Sequence, residues 1–209
     1  MFDAYAAARE SAANLLRHAG IAEAHAEDVR ACMAGYELSS ALPRRLPLSP
    51  EACLAAVCAA EAEAPAALCN APAFSNIALQ GGHICFALTN AAYAALMHAV
   101  EESGALPALP EDTAPFLPYM IARMRMLARK AGADCPDDPA VRHALWLCFG
   151  IAEAGLGFAQ RQARALRAAH ALAALGRELP PRERAELFSR CGALGRCAAR
   201  LLALALPGI

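Results

Sequence analysis

The chain has 209 residues and a mass of 21.8 kDa, enough for one large domain or two small ones. Its 58% hydrophobic and 19% charged residues exclude a disordered chain, and the abundant alanine favours helices. No apolar run reaches the roughly 18 residues of a membrane span. The N-terminal stretch carries acids and no cationic signal-peptide start, so we expect a cytoplasmic protein with no membrane segment.

The N-terminal half, residues 1–104, is predicted as an α+β domain with a small antiparallel sheet. Apolar periodicity, turn residues and capping residues define its elements. The first two helices are expected at 4–18, ended by Gly20, and at 23–34. A proline-interrupted loop at 39–50 leads into a third helix at 50–63, which Ser49-Pro50 opens. A hairpin of strands 73–80 and 83–88 turns at Gly81-Gly82, and a helix at 90–102, capped by Asn90, follows it.

The C-terminal half, residues 105–209, is predicted as an all-α helical bundle, so the fold class is mainly α. We place the domain boundary in the proline-containing stretch 104–115. Four helices are expected beyond it, at about 112–131, 138–152, 156–176 and 181–205, with Asp137 or Asp138 as an N-cap and Pro180-Pro181 opening the last.

Charge is divided unevenly along the chain. Residues 1–104 hold 5 arginines and 11 acidic residues, net -6, whereas residues 105–209 hold 14 basic and 9 acidic residues, net +5. A basic half favours a surface that faces a polyanion. Complementary docking of the two halves explains the same pattern, and the sequence leaves both interpretations open.

The nine cysteines include no C-x-x-C pair, so they are interpreted as reduced, inert core thiols. His83 and Cys85 would share a strand face, but no second pair of ligands accompanies them. We therefore predict no metal site and no cofactor. The thiols placed in apolar helical stretches include Cys53, Cys58, Cys148, Cys191 and Cys197.

Residues 112–131, DTAPFLPYMIARMRMLARKA, resemble the start of the anticodon-binding helical domain of arginyl-tRNA synthetases. That family opens the domain with N-P-A-F-Y-V-Q-Y-A-H-A-R. Compatible spacing is found for Asp112, Ala114, Phe116, Tyr119, Ala122 and Arg123. Segments 141–154 and 182–209 are similar to the family's second and last helices, in the same order.

The upstream segment 75–92, SNIALQGGHICFALTNAA, is similar to the V-x-I-x-G-P-G-F-I-N-F-x-L stretch of the same family's N-terminal extra domain, which binds the tRNA elbow. Gly82, Ile84 and Phe86 match that stretch. His83 stands where the family has its first Phe, and Cys85 where it has Asn. The resemblance therefore covers nearly the whole chain, with the two ends of a synthetase joined directly.

The catalytic signatures of that family are missing, since the sequence contains neither H-x-G-H nor K-M-S-K-S. Nothing arranges the six histidines or the cysteines into another recognisable catalytic site. The resemblance thus implies a noncatalytic, cytosolic tRNA-binding protein. The alternative is a protein-interaction module on the same scaffold, pairing with itself or with a protein partner, and the changes at His83 and Cys85 favour it.

The expected RNA contacts combine one stacking aromatic with cations that neutralise phosphates. Three of the arginines recur every third residue and so share one side of a helix. The predicted nucleic-acid-binding residues are Phe116, Tyr119, Arg123, Arg129, Lys130, Arg161, Arg164, Arg167, Gly82 and Phe86. The same residues also fit purely structural roles, in which the arginines form a solvated helix face and Tyr119 is an aromatic residue at a helix interface.

Overall fold

The computed structural model describes residues 2–32, 35–103, 116–130 and 137–206. The chain forms two compact units, Tyr5–Ala95 and Leu96–Ile209, the second of which includes the short segment Met1–Ala4. The two units divide within a helix, and the predicted boundary at 104–115 lies outside the described residues.

The helices and strands of the first unit are, in chain order, α1 (Ala4–His18), β1 (Val29–Ala31), β2 (Leu38–Ser40), α2 (Pro50–Glu63), β3 (Ala67–Leu68), β4 (Ala71–Pro72), β5 (Phe74–Gln80), β6 (His83–Leu88) and α3 (Asn90–Glu102), which continues into the second unit. The strands form a four-stranded antiparallel sheet of order β1-β2-β6-β5 and a two-stranded ladder of β3 and β4. Helix α2 packs against β5 and β6.

The sheet is centred on β6, whose side chains supply much of the core. Phe86 pairs with Leu38 on one side and Ile77 on the other, and it is fully buried. The β5–β6 hairpin turns at Gly81 and Gly82, with φ of 52° and 75°. Both angles lie in the left-handed region that a two-residue hairpin requires and glycine adopts without strain. The predicted hairpin is confirmed.

The helix predicted at 23–34 is wrong. A single 3₁₀ turn, Ala26–Asp28, is closed by the Asp28 carboxylate, which accepts from the His25 amide at 3.1 Å. The chain then becomes strand β1, in which Val29 pairs with Ser40. Pairing with β2 therefore outweighs the local helix propensity. The loop predicted at 39–50 begins with the end of β2 and includes a 3₁₀ turn, Leu42–Arg44.

The three longer helices predicted in this part of the chain are confirmed. Ser49 accepts from the Ala52 amide at 3.2 Å and caps α2, as expected from Ser49-Pro50. The cap of α3 is Thr89, not Asn90, because the Thr89 hydroxyl accepts from the Ala92 amide at 2.9 Å.

The second unit is helical in its described residues. Its further elements are α4 (Phe116–Leu127), α5 (Pro139–Phe149) followed by a 3₁₀ turn (Gly150–Ala152), α6 (Phe158–Ala174), α7 (Pro181–Ser189) and α8 (Gly192–Ala203). Asp138 caps α5 as predicted, accepting from Ala140 and Val141 at 2.8 and 3.0 Å. The predicted ends of α4 at 112–115 and at 131 lie outside the described residues. The mainly α fold class with a small antiparallel sheet is confirmed.

The single helix predicted at 181–205 is wrong, because two helices occupy that stretch. The chain turns at Arg190 and Cys191, whose amides bond back to Leu187 and Phe188. α7 has no buried residue, whereas α8 is buried along its length except at Arg196 and Arg200. The break between them changes the chain direction, so that α7 lies at the surface and α8 lies in the core.

Candidate nucleic-acid interface

Helix α4 buries one side and exposes the other. Leu117, Met120, Ile121 and Met124 are in the core. On the opposite side, Tyr119 is 60% exposed and Met126 is 63% exposed. Arg123 lies between them, and Arg129 and Lys130 follow the helix end. We call the residues Tyr119, Arg123, Met126, Arg129 and Lys130 the α4 stripe.

Helix α8 fixes the end of α4 through a backbone contact at Gly195. A Cβ at Gly195 would lie 2.6 Å from the Ala128 nitrogen and 2.7 Å from the Met124 oxygen. These two atoms form the last helical hydrogen bond of α4, at 2.8 Å. Only glycine allows this approach, which positions the turn that carries Arg129 and Lys130.

A cleft of about 620 Å³ lies between α4 and α7, beside the α4 stripe. Its apolar lining comes from Met126 and Leu127 on α4 and from Ala185 and Phe188 on α7. Its charged lining is the three cations of the stripe, and none of the described lining residues is acidic. The cleft therefore combines apolar and cationic lining residues, which suits an anionic ligand that also has an apolar surface.

The cleft wall formed by α7 is held by Arg184. Its guanidinium donates to the Gly176 oxygen at 2.6 Å and to the Arg177 and Leu179 oxygens at 3.0 Å. Three carbonyls that follow α6 are thereby satisfied by one side chain at the start of α7. This arginine is structural, and Phe188 projects from the helix that it anchors.

Phe116, predicted as an RNA contact, is packed against a neighbouring helix. Its ring stacks on His170 of α6, with centroids 4.8 Å apart and an interplanar angle of 28°. Arg167 lies one turn before His170 on the same side of α6, and both residues are exposed. The stack thus joins the start of α4 to the side of α6 that carries the exposed Arg167.

Two of the three arginines predicted on α6 bind the protein itself. Arg161 donates to the Ile151 oxygen at 3.3 Å. Arg164 donates to the Gly150 oxygen at 2.8 Å and forms an ion pair with Glu153. Both guanidinium groups satisfy carbonyls of the turn after α5. Their role is structural in this conformation, and of the three only Arg167 remains a surface candidate.

The two predicted site residues of the first unit do not form an exposed surface together. Phe86 is a core residue, with its ring 5.0 Å from that of Phe74, so stacking on a base is excluded in this conformation. Gly82 occupies the hairpin turn beside the Arg44 side chain, which also donates to the Gly81 oxygen. Arg44 is a cation at this turn that the sequence did not single out.

Sequence reasoning did not identify Met126, Phe188 and His170 as site residues. Met126 is exposed at the helical spacing of Tyr119 and Arg123, a signal present in the sequence. Phe188 and His170 come to α4 from α7 and α6. Their contribution follows from tertiary packing, which no local pattern encodes.

No group of three or more His, Cys, Asp or Glu side chains suited to a metal ion occurs within residues 2–32, 35–103, 116–130 and 137–206.

Full burial raises the pKa of the Cys148 thiol to about 12. Burial and the nearby Asp138 carboxylate raise the pKa of the Cys191 thiol to about 11. Such thiols are unreactive near neutral pH. Cys58, predicted as a core thiol, is instead exposed on α2.

Within the described part of the chain, no helix has the length and apolar composition needed to cross a membrane. Searches with this chain found no matching family model, no matching curated protein and no matching solved structure.

Proposed function

We propose that this chain is a noncatalytic, cytoplasmic protein that binds RNA of the tRNA type through the α4 stripe. The observation that carries the proposal is the exposure of Tyr119 on the same side of α4 as Arg123, with two further cations at the helix end. An exposed aromatic ring beside cations is the combination with which proteins hold unpaired bases and their phosphates.

Side chains of the protein supply every contact that this RNA binding needs. Tyr119 stacks on an unpaired base, while Arg123, Arg129 and Lys130 neutralise phosphates along the strand. Arg167 extends the basic surface at the other end, beside the Phe116–His170 stack. None of these four cations has a protein partner among the described residues, in contrast to Arg161 and Arg164.

The resemblance to arginyl-tRNA synthetases supports the same assignment, because the motif that carries it includes the exposed Tyr119 and the half-buried Arg123. The absence of the H-x-G-H and K-M-S-K-S signatures from the sequence supports a noncatalytic role. The RNA contact is therefore assigned to the helical unit, without a contribution from the buried Phe86.

The test is binding of purified protein to bulk tRNA over a salt series. Log affinity should fall with log salt with a slope of about -2 to -4, as expected for three or four phosphate contacts. Arg123→Ala should reduce that slope by about 0.7 to 0.9. Tyr119→Ala should lower the affinity by about 1–3 kcal/mol and leave the slope unchanged.

The matched control is Arg30→Ala, which removes an exposed arginine of β1 in the first unit. It should leave both affinity and slope unchanged. Absence of tRNA binding at low salt would reject the proposal. An equal loss in Arg30→Ala and Arg123→Ala would reject the α4 stripe as the site.

A second function, a protein-interaction module, is favoured by one observation. The cleft beside the stripe is lined by Met126, Leu127 and Phe188, and methionine-containing clefts adapt to apolar side chains of a partner. Phosphate binding alone makes no use of this apolar lining.

A further inference from the structure

The first unit carries an exposed apolar pair of residues next to acidic side chains. Leu48 is 57% exposed and follows the exposed Pro47, in the loop between the Leu42–Arg44 turn and α2. We call Pro47 and Leu48 the knob. An exposed leucine that has no apolar cover is a candidate for burial in a partner's cleft.

Acidic side chains flank the knob. Glu23 lines a recess of about 300 Å³ together with both knob residues. Glu51 occupies the first turn of α2, three residues after Leu48. Both carboxylates are exposed, and neither has a partner among the described residues. The one neighbouring cation in the loop, Arg45, is paired with Asp28 at 3.6 Å.

The knob and the cleft are both apolar and carry opposite charges. The knob is an exposed apolar pair with acids beside it, and the cleft has apolar lining residues together with Arg123, Arg129 and Lys130. Met126, at 63% exposure, is the cleft residue with most apolar surface to lose. Opposite charges at the edges of an apolar contact select the partner and its orientation.

We propose that the α4–α7 cleft of one molecule binds the Pro47–Leu48 knob of a second copy of this chain. Leu48 inserts beside Met126 and Phe188, and Glu23 and Glu51 face the cations of the α4 stripe. The contact joins two different surfaces, so it is head-to-tail and each molecule offers one knob and one cleft.

Self-association and RNA binding would use the same three cations. Free tRNA should therefore dissociate the assembled protein, and added salt should weaken both interactions. The self-association does not rest on the proposed RNA function, because it is measured in protein freed of nucleic acid.

The experiment is sedimentation velocity of the purified protein over a concentration series. We expect a reversible rise in mean mass with concentration that diminishes at high salt. Leu48→Asp inactivates the knob and Arg129→Glu inactivates the cleft, and each variant should be monomeric at concentrations at which the parent associates. Both positions are exposed, so circular dichroism should show unchanged helix content.

Mixing the two monomeric variants is the decisive step. The Leu48→Asp chain keeps its cleft and the Arg129→Glu chain keeps its knob, so the mixture should form one-to-one dimers and nothing larger. Leu166→Asp, which alters an exposed leucine of α6, is the matched control and should associate like the parent.

A parent protein that stays monomeric at all concentrations would overturn the proposal. So would association that persists in Leu48→Asp, or a mixture of the two variants that remains monomeric. Loss of tRNA binding in Arg129→Glu with normal association in that variant would separate the two functions and would also reject the cleft as the self-association site.

Discussion

Gly195 of α8 lies against the amide nitrogen of Ala128, the group that closes the last turn of α4. A Cβ at Gly195 would approach that nitrogen to 2.6 Å, closer than real side-chain contacts allow. The neighbours are backbone atoms and cannot rotate away. The end of α4, and with it the direction of Arg129 and Lys130, therefore depends on the absence of one side chain in a buried helix.

Gly195→Ala should destabilise the protein by about 1–3 kcal/mol, because the added methyl group forces α4 and α8 apart. Helix propensity alone predicts the opposite, a gain of up to about 1 kcal/mol. Urea unfolding followed by circular dichroism measures the difference. Gly157→Ala, at the N-cap of α6, is the control for steric crowding, since its Cβ would have only one near neighbour, at an ordinary 3.7 Å, and only the small cost of losing an N-cap glycine is expected. A stabilised Gly195→Ala variant would contradict the tight crossing.

The arginines of α6 should separate into two classes. Arg164→Ala removes the ion pair with Glu153 and leaves the Gly150 carbonyl without its donor, so stability should fall by about 1–2 kcal/mol. Arg167→Ala should change stability by less than about 0.5 kcal/mol, yet reduce the salt slope of tRNA binding by about 0.7 to 0.9. Unfolding and binding measured on the same preparations test both halves of the prediction. Reversed roles would show that the surface is assigned to the wrong arginine.

Buried thiols should make the fold sensitive to alkaline pH. The pKa of Cys148 is raised from 9.0 to about 12, so between these values the unfolded chain loses a proton that the folded chain keeps. The unfolded state then binds fewer protons, and the free energy of unfolding falls as pH rises, by about 1.4 kcal/mol per pH unit for this thiol. Below pH 9 the contribution is constant.

Cys148→Ala isolates this contribution. Relative to its own stability at pH 8, the variant should lose about 2 kcal/mol less than the parent at pH 10.5. Cys58→Ala, at an exposed position, should follow the parent curve. Parallel curves for Cys148→Ala and the parent would show that the buried thiol does not govern the alkaline loss.

Alkylating reagents should distinguish the described cysteines by exposure. At pH 8 in the folded protein, iodoacetamide should modify Cys58 before Cys53, Cys148, Cys191 and Cys197, because the last four are buried. Peptide mapping by mass spectrometry after short exposure gives the order. Denaturant should make the rates similar, and early labelling of Cys148 would contradict its burial.

Local sequence signals were sufficient where one short segment decides the structure. Gly81-Gly82 supplies the left-handed turn of the hairpin, and Ser49 and Asp138 cap their helices through amides two or three residues away. The four-residue spacing of Tyr119 and Arg123 likewise places both on one side of α4. These features depend on residues close in sequence, so patterns reveal them.

Features that depend on distant partners were not predictable in the same way. Strand β1 exists because Val29 pairs with Ser40, eleven residues further along the chain, beyond the reach of a helical pattern. The side chain of Arg164 looks like a surface charge in the sequence, but the turn after α5 presents a carbonyl and Glu153 to it. The cleft requires α7 to bring Phe188 to Met126. Only the folded chain decides whether such a residue is used internally or offered to a ligand.

Lys130, at the end of the α4 stripe, is the single lysine of the sequence. All other cationic side chains are arginines, which amine-directed reagents do not modify. A fluorophore or isotope-labelled methyl group attached to an ε-amine is therefore placed at the edge of the cleft without any engineering of the chain. The protein thus contains its own reporter position, at the place where the two proposed interactions meet.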